Sequence, residues 1–166
     1  TGLRCLDLGA STGGFTDCLL QHGAATVLAV DVGRAQLHQR LREDLRVTLL
    51  EGTNARALPE LPPIDFFVAD LSFISLAKVV PALLPHLASG GLLLPLIKPQ
   101  FEVGRGGVGK GGLVRDEGLR RSTIEQRARE LAGLGLELLG TYDSPVAGAE
   151  GNREAFALLR LPPSVQ

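Results

Sequence analysis

Long apolar runs are missing from this sequence. The longest, such as 92–97, fall far below the ~20 residues that a membrane-spanning helix needs, so no helical span is expected. Cysteine is scarce: Cys5 and Cys18 lie in a predicted strand and a predicted helix without metal-ligand spacing, which reads as two core thiols in a reducing cytoplasm. His22, His38 and His86 share no spacing either, so no metal is expected. No basic segment followed by an apolar stretch opens the chain, and a secretory leader is not read. A dominant charge is also lacking. The net charge of −1 gives no global field to attract phosphate, so any contact with nucleic acid has to come from local charge. Between 98 and 121 six cations (Lys98, Arg105, Lys110, Arg115, Arg120, Arg121) face three anions (Glu102, Asp116, Glu117), a hint of a basic lobe.

What is present is enough apolar material for a core: 45% of the 166 residues are hydrophobic, which suits one domain over 1–166. The chain begins at Thr1 and enters a strand pattern almost at once, as expected of a piece of a longer protein. Short β-type runs alternate with helix-type runs over the first part of the chain. This is the pattern of βαβ units and a parallel sheet flanked by helices, so the fold class is α/β. Strands are predicted at 4–8, 26–32, 46–50, 64–70 and 92–97, and helices at 14–22, 34–43 and 75–87. Pro81 and Pro85 predict a kink or two short turns in the third helix. Pro95 predicts a bulge in the fifth strand, which it deprives of a donor. Six glycines within 104–112 predict a mobile loop, because ordering them costs too much entropy. A helix over 117–132 follows, then strands at 136–142 and 153–161 joined by a polar turn. The last pair reads as an antiparallel hairpin, which makes the sheet mostly parallel with one reversed strand.

The turn after the first strand reads Leu6-Asp7-Leu8-Gly9-Ala10-Ser11-Thr12-Gly13-Gly14-Phe15. A carboxylate stands at the strand's end and small residues lead into the helix, so backbone can approach a ligand closely. The spacing D-x-G-x-x-x-G differs from the dinucleotide fingerprint G-x-G-x-x-G. A pyrophosphate seeks helix N–H groups, whereas an adenosyl amino acid, S-adenosylmethionine, also brings an ammonium that Asp7 can help balance. Asp31 ends the second strand next to Val32, where a carboxylate can accept hydrogen bonds from both ribose hydroxyls. Asn54 can meet the adenine edge with its amide or simply stabilise its own turn. The bland alternative is that Asp7 and Asp31 cap turns in a sheet that binds something else, NAD for instance.

Asp70 ends the fourth strand and Lys98 the fifth, at the carboxyl edge where open α/β sheets hold ligands. The two side chains are expected to face one another, with Asp70 counted on the cofactor side as well. Glu154 opens the final strand and reaches the same cleft if that strand inserts beside the fifth; otherwise it is an exposed hairpin carboxylate. Arg105, Lys110 and Arg115 on the glycine-rich loop suit phosphate contacts that position RNA without reading its bases.

The segments DLGASTGGFTD, AVDVG, DLSFISL, LIKPQFEVGRGGVGKGGLVRD and GNREAF resemble the TlyA family over essentially the whole chain. The stretch from KPQFE to VRD is the most distinctive. Members are bacterial ribosomal RNA 2′-O-methyltransferases, sometimes labelled haemolysins, with a catalytic domain similar to FtsJ. The resemblance implies a Rossmann-like class I S-adenosylmethionine-dependent methyltransferase with a seven-stranded sheet. It implies ribosomal RNA or ribosomal subunits as partner and cytidine as the target. It also implies a Lys-Asp-Lys-Glu tetrad, of which Asp70, Lys98 and Glu154 match three members. The first lysine, ahead of the first strand in the family beside an S4-type RNA-binding module, has no match here. The sulfonium donor is already activated, so a protein has mainly to align a hydroxyl and help remove its proton. Lys98 would stabilise the alkoxide as an ammonium or take the proton as an amine, with Asp70 and Glu154 orienting it. The rival in a different class is a cofactor-binding scaffold or haemolysin-like module without methyl transfer. No strongly amphipathic cationic helix supports membrane action.

Overall fold

Apolar residues on opposite faces of the first strands divide the core into two layers. On β1 (Arg4–Leu8), Cys5 belongs to a buried cluster with Leu20, Val27, Ala29 and Leu41, while Leu6 and Leu8 join Val30, Phe67, Leu93, Ile124 and Leu131. Successive side chains of a strand point to opposite faces. Helices therefore cover both faces, with α1 (Gly14–Gln21) and α2 (Gln39–Arg42) in the first cluster and α3 (Val80–Leu83) and α5 (Glu117–Ala132) in the second. The computed structural model describes residues 1–104, 106–148 and 151–164.

The remaining strands are β2 (Thr26–Asp31), β3 (Val47–Glu51), β4 (Ile64–Ala69), β5 (Leu87–Ile97), β6 (Glu137–Asp143) and β7 (Ala155–Arg160). They form a seven-stranded sheet in the order β3-β2-β1-β4-β5-β7-β6. β7 runs antiparallel to both β5 and β6, and the other pairs are parallel. The chain works outward from β1 to β3, then returns to the other side of β1 with β4. That reversal opens a crevice at the carboxyl ends of β1 and β4. Among the described residues no helix is long and apolar enough to cross a membrane.

Local departures from the sequence reading have identifiable causes. The second helix shrinks from 34–43 to four residues because its first donors go elsewhere: Ala35 N–H to Glu51 Oε1 (2.6 Å) and His38 N–H to the Thr12 carbonyl (3.1 Å). The third helix breaks at its prolines into a 3-10 turn at Leu76–Lys78, α3, and a second 3-10 turn at Leu84–His86. β5 begins at Leu87, inside the expected helix. Its irregularity against β4 lies not at Pro95 but between the Ile64–Leu87 and Phe66–Leu92 pairs, around Gly90 (φ 75°). Pro95 leaves its mark on the other side. The ladder with β7 holds at Leu92 and Leu93 and resumes at Leu96 without a change of register, as a residue lacking an N–H allows. A short helix absent from the sequence reading, α4 (Pro99–Glu102), follows β5 directly. Cys5 is buried as expected, but Cys18 is exposed, with Sγ 3.7 Å from His22 Nδ1.

Gly9 sits where β1 ends, at φ 81°, and a Cβ there would collide with the backbone carbonyl of Asp70. Neither the carbonyl nor a strand end can move aside cheaply. Gly9→Ala is expected to lower the unfolding free energy by roughly 3 kcal/mol in urea denaturation, the upper range for a single substitution with a backbone clash. A loss below about 0.5 kcal/mol, the scale of an ordinary surface substitution, would show that the turn yields.

Candidate active site

Past Leu8 the chain turns through Gly9, Ser11 (φ 48°) and Gly13 (φ 105°) before α1 starts. Gly9 and Ala10 N–H both donate to the Val30 carbonyl, at 2.8 and 3.1 Å. Asp31 ties the turn to β2: its Oδ2 accepts from Ser11 N–H and its Oδ1 from Gly33 N–H, both at 2.7 Å. Each carboxylate oxygen has a second lone pair, so Asp31 keeps acceptor capacity for a ligand. A cavity of about 420 Å³ opens beside it, bounded by Gly9, Ser11, Asp31, Val32, Asn54 and Asp70 among others. Gln36 and Thr53, which the sequence reading passed over, line it too. Asn54 spends its Oδ1 on Arg56 N–H (3.0 Å), so the turn role is real and its amide NH2 is what the cavity could use. A neighbouring hollow of about 380 Å³ is walled by Ala10, Thr12, Gly14, Phe15, Cys18 and Asp70.

Two positions of the turn behave differently. Gly13 lines neither space; a Cβ there would collide with Leu41 and Leu37, so its missing side chain serves the packing of α2. Asp7 is wholly buried and lines neither space as well. Its Oδ2 accepts from Thr16 Oγ1 at 2.7 Å, while Oδ1 is buried without a hydrogen-bond partner. Burial pushes its carboxyl up to about 6; the Thr16 hydrogen bonds oppose the shift, and Asp70 and Asp31 add to it.

On the other side of Asp70 lies a cavity of about 560 Å³ that brings together Asp70, Lys98 and Glu154, as expected, along with Ser72, Gln100 and the 144–148 loop. The insertion of β7 beside β5 delivers Glu154, which is 5% exposed. Lys98 caps α4; its Nζ lies 2.6 Å from Asp70 Oδ1 and donates to Ser72 Oγ at 3.1 Å. The approach to Asp70 is close but lacks hydrogen-bond alignment, so it is an ion pair and the directed bond is the one to Ser72. Gln100 Nε2 donates to Glu154 Oε1 at 2.9 Å. Asp70, Ser72 and Phe73 border both cavities.

Phe73 is 89% exposed at φ 64°, with its ring 5.0 Å from that of Phe101. A bulky side chain in the left-handed region is strained, and such strain concentrates at functional sites. Nothing in the sequence flagged it beyond its place in DLSF. Asn152, 3% exposed, was missed as well. Its Oδ1 accepts from Val114 N–H (3.0 Å) and its Nδ2 donates to the Gly112 carbonyl (2.9 Å), pinning the far end of the glycine-rich loop two residues before Glu154. On that loop Lys110 and Arg115 are exposed and border neither cavity; Arg105 lies outside the described residues. Among the described residues no three His, Cys, Asp or Glu side chains group as a metal site.

Comparison with known proteins places this architecture. The family model of FtsJ-like methyltransferases matches residues 1–161. The chain is 53% identical over 162 residues to the 16S/23S rRNA (cytidine-2′-O)-methyltransferase TlyA of Mycobacterium tuberculosis, covering 96% of this chain and 60% of that protein. It thus spans under two thirds of that relative's length. A solved structure described as a hemolysin from Lactococcus lactis is similar at a TM-score of 0.91 and 42% identity, over 96% of this chain and 78% of the other. The N-methyltransferase NodS of Bradyrhizobium japonicum, solved with S-adenosyl-L-homocysteine, shares the fold alone, at a TM-score of 0.70 and 18% identity over 97% of this chain and 79% of its own. With a family match from Thr1 to just past the end of the last strand, the chain belongs to the FtsJ-like methyltransferase family.

Proposed function

We propose that this chain transfers the methyl group of S-adenosylmethionine to a ribose 2′-hydroxyl of ribosomal RNA in the cytoplasm, at a cytidine, as the name of the mycobacterial relative states for that protein. The observation that carries the reading is the position of the Lys98–Asp70 ion pair, at the junction of two cavities of nucleoside size.

The residues present fit the cofactor. Gly9 and Ser11 border the cavity, Asp31 keeps lone pairs for ribose hydroxyls, and Asp7, buried behind the turn and bordering neither cavity, holds an unpartnered Oδ1 whose charge favours an ammonium near the turn. When bound, S-adenosylmethionine supplies a methyl carbon activated by its sulfonium. The work left to the protein is to align an oxygen with that carbon and manage its proton. Lys98 has one directed hydrogen bond, to Ser72, so an ammonium there has N–H groups left for an incoming hydroxyl oxygen. As the methyl passes to oxygen, with sulfur keeping the S–C electron pair, the hydroxyl proton would leave to water while Lys98 is an ammonium, or to Lys98 where it is a neutral amine. Asp70 holds the amine from the cofactor side, and Glu154 faces the acceptor from the β7 side of the same cavity. The exposed Phe73 ring offers a stacking face for an unpaired base. Lys110 and Arg115, with Arg105, supply phosphate contacts from the loop.

Lys98→Ala in the full-length protein is expected to cut methyl incorporation into ribosomal RNA by at least about 100-fold while calorimetry finds cofactor affinity changed only a few-fold. Undiminished incorporation would end the reading. Asp7 gives a pH signature. The folded carboxyl keeps its proton up to about 6, whereas the unfolded one releases it near 3.8, so its contribution makes the fold less stable as pH rises through that window. An ammonium favours the ionised form, so S-adenosylmethionine should bind about tenfold more weakly at pH 5 than at pH 7, one unit either side of that midpoint. Asp7→Asn should flatten the dependence; an unchanged slope would place the ammonium elsewhere.

A further inference from the structure

Glu154 is useful to a reaction only if its buried carboxylate is held in one orientation, and two contacts hold it. On one side the chain passes so closely at Gly148 that a Cβ there would collide with Glu154 Oε1. On the other side Gln100 Nε2 donates to that same oxygen at 2.9 Å. A carboxylate can only accept, so this bond fixes which end of the amide faces Glu154. Gln100 Oε1 is then left buried without a hydrogen-bond partner. A leucine of similar volume would fill the place without that desolvation cost, so the amide is explained by its donor and not by its packing.

The backbone sets up the same relation. Gln100 stands on α4, whose N-cap is Lys98 and whose first residue is Pro99, a ring that fixes φ for the helical turn. Lys98 and Gln100 therefore leave one rigid turn and enter one cavity, the first against Asp70 and the second against Glu154. We infer that Gln100 is a positioning residue that orients the Glu154 carboxylate and fixes its place relative to Lys98 through the turn the two share. The inference rests on the reading that Glu154 serves methyl transfer.

The test is a double-mutant cycle in the full-length protein, with ribosomal RNA and ribosomal subunits as acceptors and tritium-labelled S-adenosylmethionine. Single-turnover conditions with excess enzyme read the residual rates. Gln100→Leu is expected to slow methyl transfer about tenfold, the scale of a misplaced group, with cofactor affinity and thermal midpoint unchanged. Gln100→Met, which also lacks the donor but adapts to the space, should lose as much. In a Glu154→Ala background neither substitution should cost more than about twofold, because no side-chain oxygen is left there to accept the bond. An equal loss in both backgrounds, or none in either, would overturn the inference while leaving the role of Glu154 intact. A Glu154→Gln protein of full activity would remove the reading beneath it.

Discussion

No side chain fits between the first turn and the end of the fourth strand, and the geometry of the site depends on that closeness. Gly9 faces the carbonyl of Asp70, while Asp70 N–H donates back to the Leu8 carbonyl at 2.9 Å. Both residues follow a matched pair, Leu8 on β1 and Ala69 on β4. The turn that lines the first cavity and the carboxylate that separates it from the second are therefore neighbours across one strand pair. Parallel strands cannot slip by one residue without turning every side chain to the other face, so the register is fixed by the core as well. Asp31 adds the third point by fastening Ser11 to the end of β2. A ligand seated in the turn then stands at a fixed distance from Asp70 and Lys98, without any mobile element between them.

The second constraint is the single turn of α4. Its five residues, Lys98 included, reach five different surroundings. Lys98 meets Asp70 and Ser72, Pro99 is buried, Gln100 meets Glu154, and Phe101 meets Phe73. Glu102 accepts from Leu76 N–H at 3.0 Å and pairs with Arg127 of α5 at 2.8 Å. Side chains of a helix advance by about 100° per residue, so one turn can address the turn after β4, the strand β7 and the helix α5 at once. A strand or a flexible loop could not do this. The Glu102–Arg127 contact is well buried on both sides, so it anchors the turn where salt screens little.

The fold was legible where a pattern repeats over several residues. Seven strands, the 117–132 helix and the reversed last strand stood out because their patterns run over five or more positions; the structure adds a cap the sequence reading did not use, Asp116 Oδ1 accepting from Leu119 N–H at 2.9 Å. The second helix misled because Glu51 and Thr12, distant in sequence, draw off its donors. Of the candidate site, the placing of Asp31, Asp70, Lys98 and Glu154 was readable, since each stands at or beside a strand end and the sheet order brings those ends together. Gly13 was read as a ligand contact although its space belongs to Leu37 and Leu41. Gln100 and Asn152 were invisible: an amide in a loop is common, and only burial against a partner more than thirty positions away separates these two from the rest.

Charge explains how an almost neutral domain could accept RNA in the proposed reaction. Among the described residues Asp70 and Glu154 share a cavity with one ammonium, Lys98, and Asp31 lines the cavity on the other side of Asp70, so the interior favours a cationic donor and disfavours phosphate. The sugar and the base can approach these carboxylates without bringing charge, and of the two only the sugar carries the hydroxyl. Phosphates flanking it are better met outside the cavities, where Lys110 and Arg115 stand exposed on a loop whose far end is pinned by Asn152. In the proposed reaction the two functions would be separated by electrostatics: acidic, buried or half-buried groups for the donor and the hydroxyl, and screened, exposed cations for the backbone. Because the exposed set weakens with salt and the buried set does not, RNA affinity and the chemical step would depend on ionic strength to different degrees, and the same protein could lose its substrate long before it lost its catalytic geometry.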